Sequence, residues 1–150
     1  IVFSIIELTA LFFIFHPTLY VPTHISTLFL TLLIVAGAMV MYFFINAMFG
    51  LLGFWTPDVW APRFLFFTII FFTSGSLFPL DIFPKAIVQV LSYTPFPYMM
   101  FFPTKVLLEQ LSSTEIVRGF FATGVWTLLC GFGTFVMWRK GIRTYEAEGR

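Results

Sequence analysis

Long apolar runs separated by short polar interruptions dominate the chain from its first residue to its last 12 or so. A helix that crosses a bilayer needs roughly 20 mostly apolar residues, so uncharged runs bounded by charges, prolines or interface aromatics mark the candidate spans. Leu28 to Leu52 is the clearest, with no carboxylate or base before Trp55, Asp58 and Trp60. Phe64 to Leu80 follows Arg63 and sits near the short limit for a span, its end loosened by Thr73, Ser74, Gly75, Ser76 and Pro79. Gly119 to Met137 is uncharged between Arg118 and Arg139, with Trp138 at the boundary where an amphipathic ring belongs. Ile1 to Phe15 reads as the far end of a truncated span that carries Glu7 and stops at His16 and Pro17. Because the chain opens on Ile1 inside an apolar run, it is expected to be a piece of a longer protein.

The stretch from Asp81 to Glu115 follows a different pattern. Pro84, Pro95, Pro97 and Pro103 rule out one straight helix. Lys85, Gln89 and Ser92 share one helical face with Ile87, Val90 and Leu91 opposite, and Lys105 and Glu109 repeat the i,i+4 arrangement further on. Two short amphipathic helices broken at Pro95 and Pro97, lying at the membrane interface or dipping into it, fit this pattern. Ser112 and Glu115 have the spacing of a capping box that starts the last helix. The expected architecture is all-α: a polytopic membrane helix bundle of about four spans, the first truncated, with a short broken amphipathic hairpin before the last. Arg139, Lys140, Arg143 and Arg150 crowd the end of the last span, which places the C-terminus in the cytoplasm by the positive-inside rule.

Composition agrees with that solvent. Hydrophobic residues make up 59% of the chain and charged residues 10%, against about a quarter charged in a soluble domain. The 23 phenylalanines suit a lipid-facing surface and not a water-facing one. A net charge of +1, with no basic stripe interleaved with aromatics, excludes nucleic acid as a partner. The single cysteine, Cys130, allows no intrachain disulfide and no CxxC metal set, and reads as a small packing residue.

No phosphate loop, zinc-protease motif or nucleophile elbow is present, so no catalytic, cofactor or metal-binding residue is expected. His16 and His24, eight apart across two prolines, have no particular ligand geometry. Glu7 is the leading pathway candidate, because an ionisable group within an apolar run faces a cavity or a partner; a place near the membrane surface, or a structural pairing, accounts for it equally. Asn46 forms an i,i+4 row with Tyr42 and Gly50, a pattern that also serves as glue between helices. Thr73, Ser74 and Ser76 offer hydroxyls to a permeating solute, or relieve backbone strain before a proline. Gly119, Thr123, Thr127 and Gly131 make a ridge of small side chains that admits a close helix neighbour.

The run Phe72-Thr73-Ser74-Gly75-Ser76-Leu77-Phe78-Pro79-Leu80-Asp81-Ile82-Phe83-Pro84 resembles a signature of permease subunits of type-2 ATP-binding-cassette exporters. Pro95-Phe96 followed by Pro103 is similar to that family's external re-entrant stretch, and Trp138 to Gly149 to its short cytoplasmic tail. The resemblance covers residues 1 to 150 as the C-terminal half of a six-span permease, part of one transmembrane domain. It implies a bacterial inner-membrane protein paired with a second permease chain and seated on a separate cytoplasmic ATPase subunit. It further implies export of an apolar or amphipathic solute by alternating access, with the hairpin as an external gate and the loop bearing Trp55, Asp58, Trp60 and Arg63 against the ATPase. A membrane scaffold or assembly subunit that moves no solute is the alternative class.

Overall fold

The computed structural model describes residues 2–15 and 22–144, and every regular element among them is helical. Six α-helices follow one another: α1 (Val2–Phe15), α2 (Ile25–Leu51), α3 (Trp60–Thr73), α4 (Lys85–Leu91), α5 (Phe101–Leu107) and α6 (Ser113–Thr144). Single 3₁₀ turns at Leu52–Phe54, Leu80–Ile82 and Phe96–Tyr98 punctuate the connections. His16, Pro17, Arg150 and the Tyr145 to Gly149 part of the tail pattern lie outside the described residues.

Among the described residues, two helices are long and apolar enough to cross a membrane, Ile25–Phe54 with its terminal 3₁₀ turn and Ser113–Thr144. At 1.5 Å per residue the 27 residues of α2 reach about 40 Å, more than the roughly 30 Å of hydrocarbon. Their apolar side chains point outward: Phe29 is 72% exposed, Phe43 66%, Leu128 75% and Phe132 68%. A core helix of a soluble protein would bury these rings; a helix in lipid has no reason to. The other two apolar helices, α1 and α3, have 14 residues each and are shorter than a full crossing.

α2 and α6 run parallel and form the spine. The small residues of α6 meet α2 in register. Thr123 lies under Gly37, Gly131 receives the Phe44 ring, Gly133 faces Met48, and Gly141 takes the Phe54 ring. Thr134 Oγ1 donates to the Phe44 carbonyl at 3.0 Å and to its own helix at the Cys130 carbonyl at 2.9 Å. Close approach of backbones substitutes here for the hydrophobic driving force that lipid cannot supply.

α6 starts where the capping-box spacing puts it. The Ser112 N–H and hydroxyl both donate to Glu115 Oε2, at 2.8 and 2.6 Å, and the Glu115 N–H returns to Ser112 Oγ at 3.4 Å. The broken hairpin is also present, as α4 and α5 either side of the Phe96–Tyr98 turn. It penetrates deeper than an interfacial helix pair. Phe102 and Val106 of α5 are buried against Ile34 of α2, with Leu30, Tyr98, Leu111 and Ile116 around them. At the tip, the Phe96 ring packs on Phe66 at 5.8 Å and shares an apolar crevice with Ile45, Met48 and Cys130.

Two expectations change. α3 begins at Trp60 and ends at Thr73, so Trp60 and Arg63 belong to its first turn and not to a loop, and the run from Ser74 to Leu80 is not α-helical. On α4, Ile87 and Val90 are 45% and 67% exposed, as the apolar face of an interfacial amphipathic helix would be. Lys105 and Glu109 are not an i,i+4 pair. α5 has already ended, Glu109 sits at φ 53°, and each side chain has found another partner: Lys105 Nζ lies 2.7 Å from Asp81 Oδ2, while Glu109 accepts from Thr23 Oγ1 at 2.5 Å and Thr27 Oγ1 at 2.9 Å.

Candidate functional site

α3 runs antiparallel to α2 and stops halfway along it. The Phe66 ring lies 4.6 Å from Phe49, the Phe67 ring 6.3 Å from Tyr42, and Ile70 and Ser74 come level with Ala38 and Val35, the middle of α2. Local chemistry ends the helix there. Thr73 Oγ1 turns back to the Ile69 carbonyl at 2.6 Å, and the Ser74 N–H makes the last helical bond to Ile70 at 2.8 Å. Gly75 then takes φ 84°, the left-handed conformation in which helices commonly end and which side chains disfavour.

Irregular backbone at such depth survives only where protein covers it or a cavity hydrates it. Both occur here. The Ser74 carbonyl accepts the Phe101 N–H at 2.9 Å, which ties the end of α3 to the start of α5. Ser74 is 1% exposed, and its hydroxyl shares a 2.7 Å hydrogen bond with that of Ser76. On the open side, a groove of about 410 Å³ separates α2 from α3 and the α5 entry. Tyr42, Ser74 and Ser76 supply its polar lining, and Met39, Met99 and Met100 its flexible walls. A volume within the roughly 300–1,000 Å³ of small-molecule sites, mostly apolar with a few polar groups and polarizable thioethers, suits apolar or amphipathic ligands of variable shape.

Of the pathway candidates, the fold brings Ser74 and Ser76 to this groove, while Thr73 does not line it and is bonded into its own helix. Asn46 lies one turn along α2 and spends its amide on the Tyr42 carbonyl at 2.9 Å. Glu7 is exposed on α1, far in sequence from the groove and bonded to no described residue. Gly119 and Thr123 are buried and Thr127 and Gly131 half-buried, all along α6; Gly119 faces the Phe102 ring, and Thr127 Oγ1 comes within 3.5 Å of the Gly37 carbonyl. Trp55, Asp58, Trp60 and Arg63 gather at the opposite end of α2, where Asp58 Oδ1 accepts the Trp60 N–H at 2.9 Å and Trp60 stacks on Phe64 at 5.3 Å. The basic end of α6 shares that end of the molecule, since the Phe54 ring lies between Trp55 and Trp138 at 6.0 Å from each.

Phe101 and the three groove methionines were not singled out from the sequence. Gly75 was named among the residues that loosen the end of the Phe64 to Leu80 span, and its fit against Phe101 had no local signal. Met39, Met99 and Met100 come from distant segments and had none. No group of His, Cys, Asp and Glu able to hold a metal occurs among the described residues.

The profile of a family described as ABC-2 family transporter protein matches residues 2–149. No curated protein and no solved structure matches the chain significantly. With long helices whose apolar faces point outward, a helix broken at mid-depth beside a groove, and a family match along nearly its whole length, the chain belongs to the ABC-2 transporter family and is a membrane permease.

Proposed function

We propose that this chain is the C-terminal half of a six-span exporter permease, and that the α2–α3 groove faces the solute path. The observation that carries the reading is the end of α3 at the level of Val35–Ala38, with Ser74 and Ser76 beside an open groove. Discontinuous helices at the bilayer midplane are where transporters bind and release their cargo. The cargo that fits is apolar or amphipathic. α1 and the stretch from Trp60 to Leu80 then complete the crossings that the two long helices begin, giving about four spans.

Energy comes from a separate cytoplasmic ATPase subunit, with a second permease chain completing the path. Closure of the ATPase dimer pulls on the corner bearing Trp55, Asp58, Trp60 and Arg63 and shifts the bundle between inward- and outward-facing arrangements. Arg139, Lys140 and Arg143, at the same end, orient it to the cytoplasm of a bacterial inner membrane. At the far end, the Lys105–Asp81 pair and the Glu109 contacts to Thr23 and Thr27 hold the hairpin as the external gate.

Co-expression of the full-length permease with the ATPase encoded beside it tests this. Stoichiometric co-purification, with ATP turnover altered by the permease, is expected. A permease that assembles with partners while altering no turnover and passing no solute would instead be a scaffold.

A further inference from the structure

A second crevice opens where α4, α5 and α6 meet, away from the α2–α3 groove. Its volume is about 230 Å³, and Leu80, Val88, Phe101, Phe102 and Leu111 wall it. That is below the roughly 300–1,000 Å³ of drug-sized sites, so it has room for a stretch of acyl chain and not for a whole solute. Tyr98, Lys105, Glu115 and Arg118 also line it.

These charges are not equivalent. Lys105 is committed to Asp81 at 2.7 Å, and Glu115 Oε2 to the N–H and hydroxyl of Ser112. Arg118 makes no hydrogen bond or ion pair with any described residue, although its charge is felt by Glu115 and Tyr98 in the same crevice. Its place in the span decides what it meets. Thr123 lies under Gly37 and the two helices run parallel, so Arg118 is level with about Thr31, roughly 9 Å into a helix longer than the hydrocarbon, and it bounds the uncharged run of α6 at the edge of the apolar belt. A cation at that level of an apolar belt snorkels outward or pairs. The guanidinium fork matches the oxygens of a phosphate, and the apolar walls beside it match the chain attached to such a headgroup.

We propose that this crevice binds one membrane phospholipid, its phosphate on the Arg118 guanidinium and part of one acyl chain between α4, α5 and α6. The juxtaposition of an apolar crevice with a guanidinium that makes no ion pair fits a lipid, whose chain fills the crevice, better than a soluble anion. The bound lipid holds the α4–α5 hairpin against α6. Glu115, one turn before Arg118 and engaged with Ser112, leaves room for a zwitterionic headgroup as well as an anionic one.

The full-length permease, purified and delipidated in detergent, is titrated by native mass spectrometry with three lipids of identical acyl chains. These are phosphatidylglycerol, phosphatidylethanolamine and a monoglucosyl diacylglycerol without phosphate. Both phospholipids should bind at least about tenfold tighter than the glycolipid, a difference of about 1.4 kcal/mol. Arg118→Gln should abolish that preference and Arg118→Lys should retain part of it. Arg118 is exposed, so both variants keep the wild-type helicity, which circular dichroism checks. Leu111→Trp, which fills the crevice and leaves the cation, should weaken both phospholipids. Equal binding of the three lipids, an unchanged preference in Arg118→Gln, or displacement of the phospholipids by inorganic phosphate alone would overturn the proposal.

Discussion

Gly75→Ala tests the join between α3 and α5 more sharply than any other single substitution. A Cβ built on Gly75 would stand 2.9 Å from Phe101 Cβ, 3.4 Å from its Cδ2 and 3.5 Å from its Cα. Real Cβ contacts of 2.9 Å do not persist, and the opposing atoms belong to the root of Phe101 and not to the swinging end of a ring. Phe101 cannot retreat freely, because its N–H is bonded to the Ser74 carbonyl at 2.9 Å. Holding alanine at φ 84° costs about 1–2 kcal/mol, and forcing an extra methyl into a packed place costs about 1–3 kcal/mol more. The expected loss is about 2–5 kcal/mol. Thermal unfolding of the purified permease in detergent, followed by circular dichroism, should show a drop of roughly 4–20 °C. Gly124→Ala is the control: it lies inside α6 with nothing within 4 Å of its Cβ position, so it should be neutral or raise stability by about 0.5–1 kcal/mol. Equal melting of Gly75→Ala and wild type would refute the close join of α3 to α5.

Gly119→Ala should cost about 2–4 kcal/mol, since its Cβ would fall 2.2 Å from the ring of Phe102, itself 7% exposed and held between α2 and α6; the same thermal assay reads it. Thr134→Val should cost about 0.6 kcal/mol, the typical worth of one hydrogen bond between membrane helices, because only its bond to the Phe44 carbonyl leaves its own helix. Ser112→Ala removes one side of the α6 cap and should lose about 1 kcal/mol, seen as faster amide exchange in the first turn of α6. Asp81→Asn should cost no more than about 1 kcal/mol, because Asp81 is 58% exposed, and salt should diminish the difference between it and wild type in the melting assay.

Elements governed by local pattern were legible in the sequence. The uncharged run from Leu28 to Leu52 became α2 within a few residues, and the Ser112–Glu115 spacing marked the true start of α6. Pro95 and Pro97 marked the break in the hairpin because a missing N–H and a fixed φ act wherever the chain lies. Features set by partners were not legible. Hydropathy continued through Leu77 and Phe78, so the span looked longer than α3 is, although Thr73 to Pro79 marked its end as loosened; where the chain goes after that end is set by Gly75 fitting against Phe101, a residue 26 positions away in the chain. Lys105 and Glu109 had helical spacing, but their real partners, Asp81 and the pair Thr23 and Thr27, lie beyond any local window. The groove likewise depends on which segments meet. Ser74 and Ser76 carried a local signal of polarity, whereas Met99 and Met100 reach it only through the fold of the hairpin.

The most direct measurement is ATP-driven flux through proteoliposomes containing the full-length permease and its ATPase, loaded with a fluorescent amphipathic solute. Met39→Trp is the deciding variant: Met39 lines the groove and is 68% exposed, so a larger ring narrows the groove without disturbing a packed core. ATP-dependent flux in wild type, reduced at least several-fold in Met39→Trp while ATPase association is unchanged, is the predicted result. Flux that ignores ATP, or that is the same with the groove filled, would contradict the account.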